Sequence, residues 1–472
     1  MKRFAAAIAL LATSCTSLEP AYVRPEPPVP ASWPAGDAYL AQREAGLPAV
    51  TYKEIFRDPR LQTLIAQGLV NNRDLMAAAA NIAAAREQYR IQRANQLPEL
   101  DAGGRVTASG DKADDVAASY NAGLSAPSFE LDLFGRLRSL SHAEFQRYLA
   151  TEAGARSTRL ALVASIADAW LAHAADSSLL AIASETARNA ATSVKLTRAR
   201  LEGGVAPRTD LRQAEQILTA AEADVAQQTT LVAQDVNALQ LLVGAPIEPA
   251  LLSDSIGQAA PTVAELPAGL DSSILLRRPD VLAAEYQLRA ANAEIGAARA
   301  ALFPRISLTG LLGLASQALA DLFTGGAFAW SASADAAYTI FNGGAGRANV
   351  RLTEAQRQSA VANYQKAIQT AFREVSDALA RRGTMADELD ARRRQEAAAA
   401  DNAKLSEARY RAGIDNFLAS LDAQRSYYAA QQILVSTQLD SARNLVDLYQ
   451  ALGGDDLLRT APVEPVPVPV AG

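Results

Sequence analysis

The segment NRDLMAAAANIAAAREQYRIQRANQLP returns later in the chain as RPDVLAAEYQLRAANAEIGAARAALFP, with Pro98 falling on Pro304 at an offset of 206 residues. Four further landmarks keep the same order. Phe134 of DLFGR pairs with Phe341 of TIFNGG at 207, Asp168 with Asp377 at 209, Gly204 of LEGGV with Gly413 of RAGI at 209, and Gly244 with Gly453 at 209. A drift of only three residues along the series marks an internal duplication. Whatever one half folds into, the other half must fold into again.

Within each half the same elements follow one another. An Ala-rich helical pattern comes first, from about Asn72 to Gln96 and from about Arg278 to Leu302, and each ends at a proline. Two stretches of period-two alternation follow. In repeat one, Leu100, Ala102, Gly104, Val106 and Ala108 alternate with polar or small residues, as do Tyr120, Ala122, Leu124 and Ala126. Repeat two has Ile306, Leu308, Gly310, Leu312 and Leu314, then Phe328, Trp330, Ala332, Ala334, Ala336 and Tyr338. Next comes a long helical pattern without proline, roughly Arg136 to Leu201 and Arg347 to Arg411. At about 1.5 Å per residue each is a rod of about 100 Å. Their apolar seams, Leu160, Val163, Ala167, Trp170 and Ala174 in one and Val361, Tyr364, Ile368, Ala371, Val375 and Ala378 in the other, have coiled-coil spacing. A tight turn then leads into a helix of about 35 residues, and this helix stacked on the Ala-rich one matches the height of the rod.

The chain begins with Lys2 and Arg3, the apolar run FAAAIALLA, and then Thr13, Ser14 and Cys15. This is an export signal, and the cysteine after small residues reads as a lipobox acceptor. Ordinary signal-peptidase cleavage with Cys15 incidental is the alternative. No later run of 18 or more apolar residues is present, so any membrane crossing falls to the alternating strands. Stretches of about ten residues with period two suit a transmembrane β-barrel, and strands of a soluble sheet are the competing reading. Four strands are too few to close a membrane barrel, so several copies must share one.

Composition removes other classes. With 45 basic and 51 acidic residues the net charge is −6, and no positive field invites nucleic acid. The single cysteine rules out an intramolecular disulfide and a thiolate metal cluster, and His142 and His173 lack ligand spacing. No nucleophile motif, metal spacing or phosphate-cradling loop points to an enzyme or to a cofactor.

The N-terminal PAYVRPEPPVPASW, the duplicated RPD…LFP and LDLFG/FNGG segments, and YRAGIDNFLASLDAQRS together resemble the TolC-like outer-membrane efflux proteins, in their lipoprotein, NodT-type, OprM-like branch. The resemblance runs from Cys15 to about Leu452. It implies a mixed α and β fold: a trimeric twelve-stranded outer-membrane β-barrel, four strands per chain, continued by a long periplasmic α-helical coiled-coil barrel. It also implies a periplasmic adaptor protein, an inner-membrane transporter of RND type, outer-membrane lipid on Cys15, and a Gram-negative outer-membrane location. On this reading residues 1–14 are a signal peptide, and 15–60 a lipidated Pro-rich segment and equatorial part. Residues 61–244 are repeat one, 245–272 an inter-repeat equatorial linker, 273–453 repeat two, and 454–472 a Pro-rich tail.

The expected function is a passive exit duct for small molecules such as drugs and toxic metabolites. A protein-secretion or metal-efflux channel, or a non-conducting trimeric coiled-coil structural protein, are the alternatives; three methionines argue against a soft-metal relay. The glycines of the turns with Gly203, Gly204, Gly413 and Asp415 read as helix caps of positive φ, and the resemblance implies that these turns form the periplasmic tip met by the adaptor. In repeat two, Leu418, Asp422 and Arg425 lie at i, i+4 and i+7 and share a helix face. Their repeat-one counterparts are Thr209, Gln213 and Gln216. The resemblance makes Leu418, Asp422 and Arg425 the constriction and latch of a periplasmic gate. An ordinary surface pair of Asp422 with Arg425, worth about 0.2–0.5 kcal/mol, is the other reading.

Overall fold

Two uninterrupted helices of 67 residues dominate the computed structural model, which describes residues 17–34, 36, 38–39, 51–110, 117–264, 272–324 and 326–454. The signal segment with Cys15, most of the GDKADD loop, and the C-terminal tail from residue 455 lie outside the described residues. The elements are α1 (Pro59–Asn71), α2 (Arg73–Ala94), β1 (Asp101–Ser109), β2 (Ala117–Leu131), α3 (Arg136–Glu202) and α4 (Arg208–Val243). After short 3-10 and helical turns come α5 (Pro279–Ala300), β3 (Arg305–Ser316), β4 (Phe328–Ala337), α6 (Ala345–Arg411) and α7 (Phe417–Ala451). The duplication is therefore structural: α2-β-β-α3-α4 answers α5-β-β-α6-α7. No helix among the described residues is long and apolar enough to cross a membrane.

The chain forms two compact units. One holds the described residues up to Pro27, Ala80–Ala153 and Leu282–Lys366. Its sheet has the order β1-β2-β3-β4, antiparallel throughout, so the strands of the two repeats join through β2 and β3. β2 runs five residues past the expected stretch. Pro127 lies inside it at a register irregularity between Ala126 and Phe129, where a residue without an N–H breaks no ladder bond. The Pro127 carbonyl instead accepts from Thr309 Oγ1 at 3.1 Å.

In the same unit α5 is heavily buried, with Leu288, Ala293 and Ile295 at its core, whereas α2 buries no residue. The difference is the N-terminal segment, which is extended along α5. Asn292 Nδ2 donates to the Pro20 carbonyl at 2.7 Å, and the buried Glu285 accepts from Arg24 through both oxygens and from the Tyr22 hydroxyl. A Cβ on Gly296 would meet Glu19 Cα at 2.8 Å, so only glycine admits the segment so close.

The other unit holds Pro28–Ala79, Gly154–Val281 and the described residues from Ala367 onward. Most of both predicted seams lies here: Val163, Ala167, Trp170 and Ala174 are buried on α3, and Ile368, Ala371, Val375 and Ala378 on α6, while Leu160 is only half-buried. Of the two seam residues in the first unit, Tyr364 is buried and Val361 half-buried. The Trp170 indole N–H donates to the Leu251 carbonyl at 2.9 Å, tying the inter-repeat segment to α3. Asn72 separates α1 from α2 by satisfying both sides of the break. Its Oδ1 accepts from the N–H groups of Asp74 and Leu75, and its Nδ2 donates to the Leu242 carbonyl.

Candidate channel wall and gate

The strand register sorts the side chains into two faces. Ala102, Leu124, Leu312 and Trp330 are opposite one another across all four strands, and so lie in one apolar row. The next row is Gly103, Gly123, Gly313 and Ala329, on the other face, flanked there by Asn121, Ser125, Ser331 and Ser333. Leu124, Leu312, Phe328 and Trp330 are more than half exposed in the single chain. β1 and β4 each pair on one side only. A sheet that is apolar outward, polar inward and open at both edges is a segment of a lipid-facing barrel wall.

At the far ends of the long helices the two turns are built alike. Gly204 has φ +74° and Gly413 φ +72°. The N–H groups of Gly204 and Val205 donate to the carbonyls of Leu201 and Arg200, and those of Gly413 and Ile414 to Tyr410 and Arg409. Both are Schellman closures, which require a left-handed residue. Gly203 corrects the expectation of three such glycines: its φ is not positive, and its N–H still bonds the Ala199 carbonyl as part of the helix. Asp415 lies within the second turn and accepts from Arg409, which holds its carboxyl below the usual range. Sequence reasoning missed the exposed apolar pair that follows the two glycines, Val205 and Ile414, although both stood in the LEGGV and RAGI landmarks.

The two hairpins pack together through Val194, Leu211, Ala214, Tyr410, Phe417 and Leu421. Arg200 lies over the Tyr410 ring at 4.7 Å, and the Phe417 ring is 5.2 Å from it on the tip side of the cluster. Phe417 and Leu421 face this cluster and Ser420 is buried beside them, which leaves Leu418, Asp422 and Arg425 exposed in the single chain, Arg425 at the side nearest α3. The shared face is as the sequence spacing required. Among the described residues Asp422 has no hydrogen bond or ion pair, so the surface pair with Arg425 is not made. Asn416 caps α7 by accepting from the Ala419 N–H at 3.0 Å. Higher up, the Tyr428 hydroxyl donates to Asp224 Oδ2 at 2.7 Å and links α7 to α4.

A carboxylate group lies further along the same helices. Burial, with Asp447 nearby, pushes the Asp168 carboxyl up to about 6. Burial and the adjoining Asp176 carboxylate push Asp235 up to about 7, while Arg443 acts in the opposite direction on both. Among the described residues no group of acidic, histidine or cysteine side chains is arranged to hold a metal ion.

The model of the family described as outer membrane efflux protein matches residues 64–245 and 270–454. Over 447 residues, 93% of this chain and 92% of the relative, the sequence is 45% identical to the antibiotic efflux pump outer membrane protein ArpC of Pseudomonas putida. It is 42% identical to outer membrane protein OprJ of Pseudomonas aeruginosa, covering 95% of this chain and 94% of the relative. Among solved structures, CusC superposes with a TM-score of 0.84 at 37% identity, covering 93% of this chain and 100% of that one. The open state of the Neisseria gonorrhoeae MtrE outer membrane channel superposes with a TM-score of 0.83 at 35% identity, covering 93% and 98%.

Proposed function

Because the chain belongs to the outer membrane efflux protein family, we propose that it is an exit duct closed at the periplasmic end by Leu418, Asp422 and Arg425. The protein is the outer-membrane channel component of an efflux system in a Gram-negative bacterium, and its fold is that of the trimeric channels, with four strands per chain in a twelve-stranded barrel and helices continuing into the periplasm.

One observation carries the gate reading. On α7 the side chains of Phe417, Ser420 and Leu421 are buried within the chain, while Leu418, Asp422 and Arg425 are exposed, Arg425 at the side of that face that borders a cavity toward α3. Threefold repetition of such a face around an axis gathers three leucines and three carboxylates at one level. An apolar ring narrows a pore, and a carboxylate ring favours cations within it. The repeat-one positions Thr209, Gln213 and Gln216 carry no charge, which confines the device to one hairpin per chain.

The turns bearing Gly203, Gly204, Gly413 and Asp415 are proposed as the contact for a periplasmic adaptor, supported by the exposed Val205 and Ile414 beside them. An RND-type inner-membrane transporter would supply the energy, and acyl chains on Cys15 would anchor the protein. Relatives carry the names of toluene, solvent and antibiotic efflux pump proteins, and small apolar or amphipathic organic molecules are the cargo proposed here. Planar-bilayer recording tests the gate. Asp422→Ala should raise the resting conductance and weaken cation selectivity, whereas Gln213→Ala should change neither. Unaltered conductance and selectivity in Asp422→Ala would move the closure elsewhere.

A further inference from the structure

Between α3 on one side and the α6–α7 hairpin on the other, a cavity of about 400 Å³ opens just above the repeat-two turn. That volume lies within the range of sites that take small organic ligands. Its floor is aromatic and apolar, formed by Tyr410, Phe417, Ile217 and Leu196. Tyr410 is only 7% exposed, and among the described residues its hydroxyl has no hydrogen-bond partner. A buried hydroxyl left in that condition favours any ligand that brings it an acceptor.

The charges lining the cavity are unevenly arranged. Glu407 and Arg411 neutralise one another as an ion pair. Lys404 and Arg425 line the same space without an ion-pair partner among the described residues. Lys404 stands seven residues before Arg411, and Arg425 eight residues after Phe417. On antiparallel helices joined by one turn, the two cations therefore come level, each about 10–12 Å above it. The one remaining carboxylate, Glu185, stands 17 residues before the end of α3. It acts on the Tyr427 hydroxyl, as Glu396 does, and so lies higher on the hairpin than Lys404 and Arg425.

The geometry points to a binding site for a small amphipathic carboxylate: its anion between Lys404 and Arg425, its rings against Phe417 and Ile217, and a polar substituent at the Tyr410 hydroxyl. A cation of the same shape would meet Lys404 and Arg425 with like charge. The site shares Arg425 with the proposed gate but does not require Asp422, so Asp422→Ala should leave binding unchanged while it alters conductance.

Titration of the full-length trimer in lipid nanodiscs with 1-naphthylacetate, followed by calorimetry, tests this, with 1-naphthylmethylamine as the cation of matching shape. Saturable binding of the carboxylate with a dissociation constant below about 1 mM is expected, weakened about tenfold by Lys404→Gln and about threefold by Tyr410→Phe. The amine should bind at least about tenfold more weakly than the carboxylate. Lys404 is an exposed residue, so the trimer should melt unchanged in that variant. Absence of saturable binding, equal binding of the amine, or an unchanged constant in Lys404→Gln would each overturn the assignment.

Discussion

Asp415 accepts from Nε and Nη2 of Arg409 at 2.5 and 2.9 Å, a two-bond clasp across the repeat-two turn that repeat one does not have. There the equivalent of Asp415 is Ala206, and the equivalent arginine, Arg200, leaves its own turn to lie over the Tyr410 ring. The duplication thus kept two arginines and gave them different tasks. One fixes its own turn, and the other fixes the neighbouring hairpin.

Removal of the clasp by Asp415→Ala should leave the melting temperature of the trimer unchanged, because Arg409 is exposed, Asp415 only partly covered, and the bond is screened by solvent. It should raise amide hydrogen exchange at Ala412 to Asn416 while exchange at Gly203 to Pro207 stays as it was. Equal exchange in the two turns of the variant would show that the clasp does not order the turn.

Gly204 and Gly413 are expected to tolerate size but not backbone change. An added Cβ meets nothing within 4 Å at either position, yet both have left-handed φ. A bulky L residue there costs roughly 1–2 kcal/mol through the backbone alone. Gly413→Val should leave trimers in the outer membrane and lower export in a cell-based efflux assay. Export at the wild-type level would mean that the turn geometry has no part in assembly with the adaptor.

The glycine row of the sheet gives a sharper contrast. A Cβ on Gly123 would lie 2.5 Å from the Leu312 carbonyl oxygen and 2.6 Å from Gly313 Cα, whereas one on Gly103, its partner across the ladder, meets nothing within 4 Å. Close approach of backbones at a glycine pair is a means of curling a sheet. Gly123→Ala should destabilise the trimer by roughly 1–3 kcal/mol, and Gly103→Ala by less than about 0.5. Thermal dissociation of the trimer on gels measures both, and similar values for the two variants would remove the close approach as the cause.

The carboxyls of Asp168 and Asp235 are raised in the fold, so the folded state holds protons there that the unfolded chain releases. Their stabilising contribution is complete at acid pH below the unfolded value and is lost as pH rises through about 6 and 7. The trimer should therefore melt higher at pH 5 than at pH 8. Asp415 and Asp58, held low by arginines, lose their contribution only at more acid pH and do not reverse that slope. Repeat two supplies the natural substitution: Asn444 occupies the place of Asp235 and donates to the Ala378 carbonyl at 3.0 Å. Asp235→Asn should gain about 1 kcal/mol at pH 8 and flatten the slope. A slope as steep as that of the wild type would assign the pH dependence to other groups.

The residues that periodicity governs were legible beforehand. Tyr364, Ile368 and Ala371 are fully buried where the 3-4 spacing put them, and Leu312 faces Trp330 where alternation required the same face. Leu418, Asp422 and Arg425 share a face for the same reason. What could not be read is set by partners far apart in sequence. Tyr410 joins Arg200 and Phe417 in a cluster built from both repeats, and Glu285 binds Arg24 across 261 residues. Pro127 follows the last alternating residue, Ala126, and still lies within β2 because a register irregularity absorbs it. Gly203 and Gly204 are chemically identical neighbours, and only the hydrogen bonds decide which one turns the chain.

Val205 and Ile414 follow the capping glycines, and their exposed side chains contribute nothing to the closures, which are made by N–H groups and helix carbonyls alone. Mutational drift at these two positions is thus uncoupled from the rods and from the wall. A lineage can exchange the chemistry of its tips while inheriting the conduit unchanged.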